Sequence, residues 1–205
     1  MALYTLFGQP VNPATLTADA ANYVMAVQFK VTLTATQTAV LKAIWFNSPA
    51  GAGVLPGTID LWQVSGASLV TSQAATWSGA AGSGQVRAAF STPPALTSGA
   101  AYKGGIFKND GAVNTFYGST ANYWSSGPGS GGITSGPLSA PNNAGGDGGQ
   151  ATFDASNLNA YPATSFNATN YWVDVEVEVT DLAVPAPPRG GGRSMMARHL
   201  AWADL

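Results

Sequence analysis

A strict alternation of valine and acidic residues near the end of the chain most constrains its fold. From Val173 to Val179 every second residue is valine, and the residues between are Asp174, Glu176 and Glu178. Successive side chains of a β-strand point to opposite faces, so this period of two predicts a strand. We expect its valine face to be buried and its acidic face to be solvated surface.

The same period recurs along the chain between turn residues. Residues 23–35 alternate in the same way, and no helical period occurs before residue 190. In residues 38–46, both Leu41 and Ile44 are expected in the core, which predicts a β-bulge. About eight to ten short strands are therefore expected. They predict an all-β domain over residues 1–183, a single β-sandwich of jelly-roll type.

Turn residues predict which strands pair. Ser65-Gly66 predicts a hairpin after residues 58–64, and residues 68–77 are expected to pair with residues 85–91. Asn109-Asp110-Gly111 predicts a second hairpin, between residues 100–107 and 113–117. Residues 125–150 hold many glycines and few large apolar side chains, and are expected to form a long irregular excursion.

Residues 184–205 differ from the domain that precedes them. Pro185–Pro188 predicts a stiff extended segment, Gly190–Gly192 a pivot, and residues 194–205 a short helix. We expect this linker and docking arm to bind another protein chain, although it could instead fold back on its own sandwich. The expected partner-binding residues are Arg193, Met195, Met196, Arg198, His199, Leu200, Trp202 and Leu205.

Composition argues against several functional classes. Charged residues make up 9% of the chain and the net charge is -2, so no nucleic-acid partner is expected. The chain has no cysteine, which excludes thiolate chemistry. No apolar run is long enough for a membrane span, and residues 1–7 lack the features of a secretory signal. We expect no cofactor and no metal.

No catalytic set can be assembled from the remaining candidates, so we expect a non-enzymatic protein. The only histidine is His199, in the arm, which disfavours a Ser-His-Asp triad. The acidic row lies on one strand face, whereas a glycosidase needs two carboxyl groups facing each other across a cleft. Calcium could use Asp147 with Asn142, Asn143 and Asp154, but a simple turn is the preferred interpretation.

Aromatic residues near loops suggest a binding role as the alternative. Such side chains can stack on sugar rings, and they can equally plug the end of a sandwich. The candidates for glycan stacking are Tyr117, Tyr123, Trp124 and Tyr161.

Five segments share a pattern of strand and turn residues in a fixed order: residues 57–62, 66–70, 86–102, 136–140 and Asn170-Tyr171-Trp172-Val173-Asp174-Val175. Together they resemble a bacterial β-sandwich family of unassigned function, found as accessory modules in surface and carbohydrate-active proteins. A version with a Tyr-x-Leu-Phe start, as in Tyr4-Thr5-Leu6-Phe7, resembles virion proteins of tailed phages that infect actinobacteria.

The resemblance implies a structural protein of a phage virion, either a capsid decoration protein or a minor tail protein. Its expected partners are capsid or tail subunits and copies of itself. It would be made in the host cytoplasm and reside on the virion surface. The alternative is a carbohydrate-binding accessory module that recognises a host or environmental glycan.

Overall fold

The computed structural model describes residues 1–8, 15–18, 22–108, 116–142, 151–152 and 160–183. The predictions for the arm, the Asn109-Asp110-Gly111 turn and the carboxylates Asp147 and Asp154 lie outside these ranges. The division into residues 1–183 and 184–205 therefore stays a prediction.

Strands dominate the described residues, which confirms the all-β prediction. In chain order they are β1 (Ala2–Thr5), β2 (Thr15–Ala18), β3 (Tyr23–Val31), β4 (Gln37–Ser48), β5 (Thr58–Gln63), β6 (Ser68–Ala74), β7 (Gly84–Ala89), β8 (Ala95–Leu96), β9 (Ala101–Lys108), β10 (Phe116–Ser119), β11 (Ile133–Ser135), β12 (Leu138–Ala140), β13 (Ala151–Thr152) and β14 (Val173–Asp181). One 3-10 turn, Ser65–Ala67, links β5 to β6.

Two antiparallel sheets form the sandwich. The first sheet has the order β1-β14-β4-β7, with β8 also paired to β4. The second has the order β11-β12-β3-β9-β5-β6, with β13 also paired to β3. A separate ribbon joins β2 to β10. The chain crosses repeatedly from one sheet to the other, as from β3 to β4 and from β4 to β5.

The central core lies between the facing sheets. Val173, Val175 and Val177 of β14 are buried on one face, as the alternation predicted. Opposite them, Gly104 of β9 lets the sheets approach closely. A Cβ atom at this position would lie 2.5 Å from Val175 Cγ1 and 3.1 Å from Ile44 Cδ1. Glycine is therefore required here by the distance between the sheets.

The predicted bulge in β4 is confirmed. Val177 of β14 pairs with Leu41 and Glu176 pairs with Ala43, so Lys42 is the extra residue. One extra residue shifts the alternation by one position. This shift lets Leu41 and Ile44 both reach the core, where each is fully buried.

The predicted hairpin at Ser65-Gly66 is confirmed, with Gly66 at a φ of 79°. The prediction that residues 68–77 and 85–91 form paired strands is wrong for β6 and β7, since β6 pairs with β5 and β7 pairs with β4. The two predicted segments are joined instead by an isolated antiparallel bridge between Trp77 and Ala88.

The prediction that β9 forms a hairpin with the following strand is also wrong. β3 and β5 occupy both edges of β9, so no edge of β9 is left for β10. β10 pairs with β2 instead. The expected irregular excursion over residues 125–150 contains a regular hairpin, β11–β12. This hairpin places Leu138 and Ala140 in the core.

Candidate functional site

The acidic row of β14 is largely buried, which corrects the expectation of a solvated surface. Asp174 is fully buried and accepts hydrogen bonds from three backbone N–H groups. These come from Leu6 at 2.9 Å, Phe7 at 3.1 Å and Val175 at 2.7 Å. The first two donors lie just after β1. Asp174 therefore fixes the start of the chain against β14.

Glu176 is buried in a polar cluster on the outer face of the first sheet. Arg87 donates to it through Nη2 at 2.6 Å and Nε at 2.9 Å, and the Trp45 indole donates at 3.0 Å. Burial raises the pKa of Glu176. The hydrogen bonds from Arg87 and Trp45 and the charge of Arg87 lower it by more, so the pKa is below its ordinary value. Glu178 is half-exposed and lies 3.7 Å from Lys42. The acidic row is thus used for structural contacts.

The motif Asn170-Tyr171-Trp172-Val173-Asp174 joins the start of β14 to the segment after β1 and to residues 117–120. Trp172 has a φ of 52°, which is unusual for a bulky residue. Its backbone N–H donates to the Asn170 side chain at 3.1 Å, and its indole donates to Thr120 at 3.0 Å. The Tyr171 ring packs on Tyr117, with centroids 5.8 Å apart. The motif residues therefore have structural roles.

An aromatic cluster covers the end of the sandwich at which β14 begins. It consists of Phe7, Tyr123, Trp124 and Trp172. The Tyr123 ring lies 5.0 Å from Trp124 and 5.3 Å from Trp172, both in edge-to-face geometry. The Phe7 ring lies 5.4 Å from Trp172. Such pairs stabilise beyond their buried area. Burial and the nearby Asp174 charge raise the pKa of Tyr123.

Three of the four predicted glycan-stacking residues belong to the core. Tyr117, Tyr123 and Trp124 are 6%, 7% and 1% exposed, so their ring faces are covered. They plug the end of the sandwich, which was the alternative interpretation. Tyr161 is half-buried on the outer face of the second sheet, with Lys103 Nζ 4.6 Å from its ring centroid. The structure does not bring the four rings together.

A second buried cluster covers the outer face of the second sheet, and the sequence reasoning missed it. Trp62 and Phe107 are buried there, with Ala160 and Tyr161 packed against them. Asp60 lies on the same face and is fully buried. Burial raises the pKa of Asp60 to about 6, although hydrogen bonds from Ser72 and Thr58 oppose that shift. The sequence signal for this cluster was Asp60, an acidic residue between the core residues Ile59 and Leu61 of a short strand.

No metal centre is assembled by the part of the chain that the structure describes. No group of three or more His, Asp or Glu side chains lies close enough there to hold an ion. Asn142, which was considered as a calcium ligand but interpreted as a turn residue, donates to the Ser130 carbonyl at 2.7 Å. Within the same residues, no helix has the length and apolarity needed to cross a bilayer.

A polar groove lies where β11 and β12 extend the second sheet. Its volume is about 370 Å³. It is lined by Lys30, Gly131, Gly132, Ile133, Thr134, Ser139, Ala140, Pro141 and Asn142. The sequence carries no signal for this groove, because only sheet pairing brings its strand and turn residues together.

The fold and these contacts define a β-sandwich module in which β14 holds β1 and a loop in place. The chain belongs to the family described as "Domain of unknown function (DUF4082)", whose model matches residues 11–173. No curated protein and no solved structure matched the chain.

Proposed function

We propose that this chain is a non-enzymatic structural protein of a phage virion, a capsid decoration or minor tail protein. The sandwich would be the exposed module. Residues 184–205 would attach it to capsid or tail subunits, or to a second copy of the chain.

The observation that carries this proposal is how Tyr4-Thr5-Leu6-Phe7 is used. This segment carries the resemblance to virion proteins. Tyr4 packs on Gly136, where a Cβ atom would lie 2.5 Å from the ring, and Leu6 is 3% exposed in the core. Phe7 joins the aromatic cluster, and Asp174 binds the backbone of both Leu6 and Phe7. The segment is thus an integrated part of the sandwich. This supports a resemblance to virion proteins that extends over the whole domain.

The carboxylates of β14 also support a structural role. Asp174 binds backbone N–H groups, and Glu176 is held by Arg87 and Trp45. A general acid or nucleophile needs contact with substrate, and these side chains are covered by the protein itself.

The proposal is tested on purified particles from a lysate that expresses the chain. Immunogold electron microscopy with an antibody against the sandwich should label the particle surface. Particles that carry no label and yield no peptides of the chain by mass spectrometry would contradict a virion role.

Attachment through the arm is tested by deletion of residues 190–205 and by Leu200→Ser with Trp202→Ser. Large apolar residues dominate such contacts, so both changes should abolish co-sedimentation with particles while the circular dichroism spectrum is unchanged. Ala201→Ser is the matched control. Because three arginines lie in residues 184–205, attachment should weaken as salt rises. Normal co-sedimentation of the deletion variant would show that the arm is not the anchor.

Carbohydrate binding is the second candidate function. The predicted stacking rings are mostly buried, so they do not support it. The polar groove beside Lys30 does, because it presents hydroxyl, amide and ammonium groups at the surface.

A further inference from the structure

The polar groove is large enough to hold a small molecule. Its volume of about 370 Å³ falls within the range of typical ligand pockets. It is bordered by strands of the second sheet on one side and by the turn at Gly131 and Gly132 on the other. Groups that line it are therefore held by the sheet.

Three polar side chains form a row across neighbouring strands. Thr134 of β11 pairs with Ser139 of β12, and Ser139 pairs with Lys30 of β3. Paired residues of adjacent strands project to the same face and lie about 4.8 Å apart along the row. Because Phe29 and Val31 point into the core, Lys30 points outward, and so do its two partners. Two hydroxyl groups and one ammonium group thus share one face.

Lys30 differs from the other cations of the described ranges, which all have a structural contact. Lys42 lies 3.7 Å from Glu178, and Arg87 binds Glu176. Two further lysines are buried: Lys103 donates to the Pro162 carbonyl, and Lys108 lies 5.8 Å from the Tyr23 ring centroid.

Lys30 is exposed, and within the same ranges no carboxylate lies within ion-pair distance of it. Among the residues that the structure describes, none that lines the groove is acidic. The groove therefore favours an anion.

We propose that this groove binds a saccharide that carries a carboxylate, of the uronic acid class. The Lys30 ammonium would bind the carboxylate, and Thr134 and Ser139 would bind ring hydroxyl groups. One ammonium group matches the single charge of a uronate. The proposal rests on the second candidate function and is independent of how the chain attaches to a particle.

Gly131 offers a variant that fills the groove without disturbing the fold. No atom lies within 4 Å of a Cβ built at this position, and its φ is not positive. Gly131→Leu should therefore fold normally and occupy the space of the ligand. Ala95→Leu adds similar bulk at an exposed site on the first sheet and is the matched control. Lys30→Gln removes the charge, and Lys30→Arg retains it.

The probe is trigalacturonate, with neutral galactotriose for comparison, in a ¹H–¹⁵N NMR titration of the full chain. Trigalacturonate should shift the amide signals of residues 30, 131–134 and 139–142, and galactotriose should bind at least roughly tenfold more weakly. Lys30→Gln should weaken trigalacturonate binding by a similar factor. Gly131→Leu should abolish it, whereas Lys30→Arg and Ala95→Leu should retain it.

Three outcomes would overturn the proposal: shifts confined to other residues, equal binding of the neutral sugar, or full binding by Lys30→Gln. Absence of binding up to millimolar trigalacturonate would also overturn it. Co-sedimentation of Lys30→Gln with particles is a separate readout. A groove that binds neither sugar on a chain that still attaches to particles would reject this inference and the carbohydrate-binding candidate, and would leave the virion proposal standing.

Discussion

At the residue scale, two fully buried carboxylates have contrasting surroundings. Asp174 accepts three backbone hydrogen bonds, which satisfy its charge and orient the segment after β1. Asp60 accepts a hydrogen bond from Thr58 on Oδ2, while its Oδ1 atom is buried and has no hydrogen-bond partner among the described residues. Burial without full compensation disfavours the charged form. Asp174 should therefore stabilise the fold, and ionised Asp60 should destabilise it.

Asp174→Ala should lower the free energy of unfolding by about 3 kcal/mol, because it leaves the N–H groups of Leu6 and Phe7 without their acceptor. Urea unfolding followed by tryptophan fluorescence measures the change. Asp181→Ala on the same strand is the control. Its side chain is exposed, so its effect should stay within about 0.5 kcal/mol. Equal effects at the two positions would contradict the junction role of Asp174.

Asp60→Asn should stabilise the protein at neutral pH. The folded pKa of about 6 lies above the ordinary value of 3.8, so the folded state binds the proton more tightly than the unfolded state. Stability from this group is thus present at low pH and is lost as pH rises from about 4 to 6. The variant should exceed the wild type by about 2–3 kcal/mol above pH 7 and by little at pH 4.

Urea midpoints at both pH values check this difference, with Asp181→Asn as the control at an exposed site. A stability difference between Asp60→Asn and the wild type that does not change with pH would show that Asp60 keeps an ordinary pKa.

At the element scale, the packing of the two sheets depends on one glycine. Gly104 of β9 faces Val175 of β14 across the core, and the space between the strands excludes even a methyl group. Interiors are packed densely enough that small volume changes are felt. The valine face of β14, which the alternation predicts, therefore requires a matching small residue on the opposite sheet.

Gly104→Ala should destabilise the domain by about 1–3 kcal/mol, because the added methyl overlaps Val175 Cγ1. Val175→Ala should also destabilise it, by leaving a cavity. The double variant should be more stable than the sum of the two changes predicts. Val175→Ala removes the methyl group that the new side chain overlaps, and the new methyl group fills part of the cavity. Thermal unfolding of the four proteins completes the cycle. Additive effects would show that the two positions do not touch.

At the scale of the whole molecule, the first and last strands complete the domain. β1 pairs antiparallel with β14, with Ala2 opposite Val179, so the pairing joins residues from the two ends of the sandwich. Asp174 and the aromatic cluster add contacts to Leu6 and Phe7, just beyond the Thr5–Glu176 pair at the other end of this ladder. Long-range pairing of this kind makes folding slow, because loop closure precedes the stabilising contacts. The domain can therefore be completed only after β14 is synthesised.

Much of the fold could be predicted because strand periodicity is local. The valine face, the bulge between Leu41 and Ile44 and the hairpin at Ser65-Gly66 all follow from residues close in sequence. Strand partners could not be predicted in the same way. The partners of β9 are β3 and β5, which lie beside it in the folded sheet. Turn residues near β9 carry no information about strands that are distant in sequence.

Local sequence thus determined the all-β class, the strands and the inward face of β14, because alternation acts between neighbouring residues. Tertiary structure alone decided that the opposite face of β14 is covered. It also placed Tyr117, Tyr123 and Trp124 in the core and brought Lys30, Thr134 and Ser139 into one row. The exposure of a face depends on what packs against it, and those packing partners come from distant parts of the chain, such as Leu6, Trp45 and Arg87 for β14.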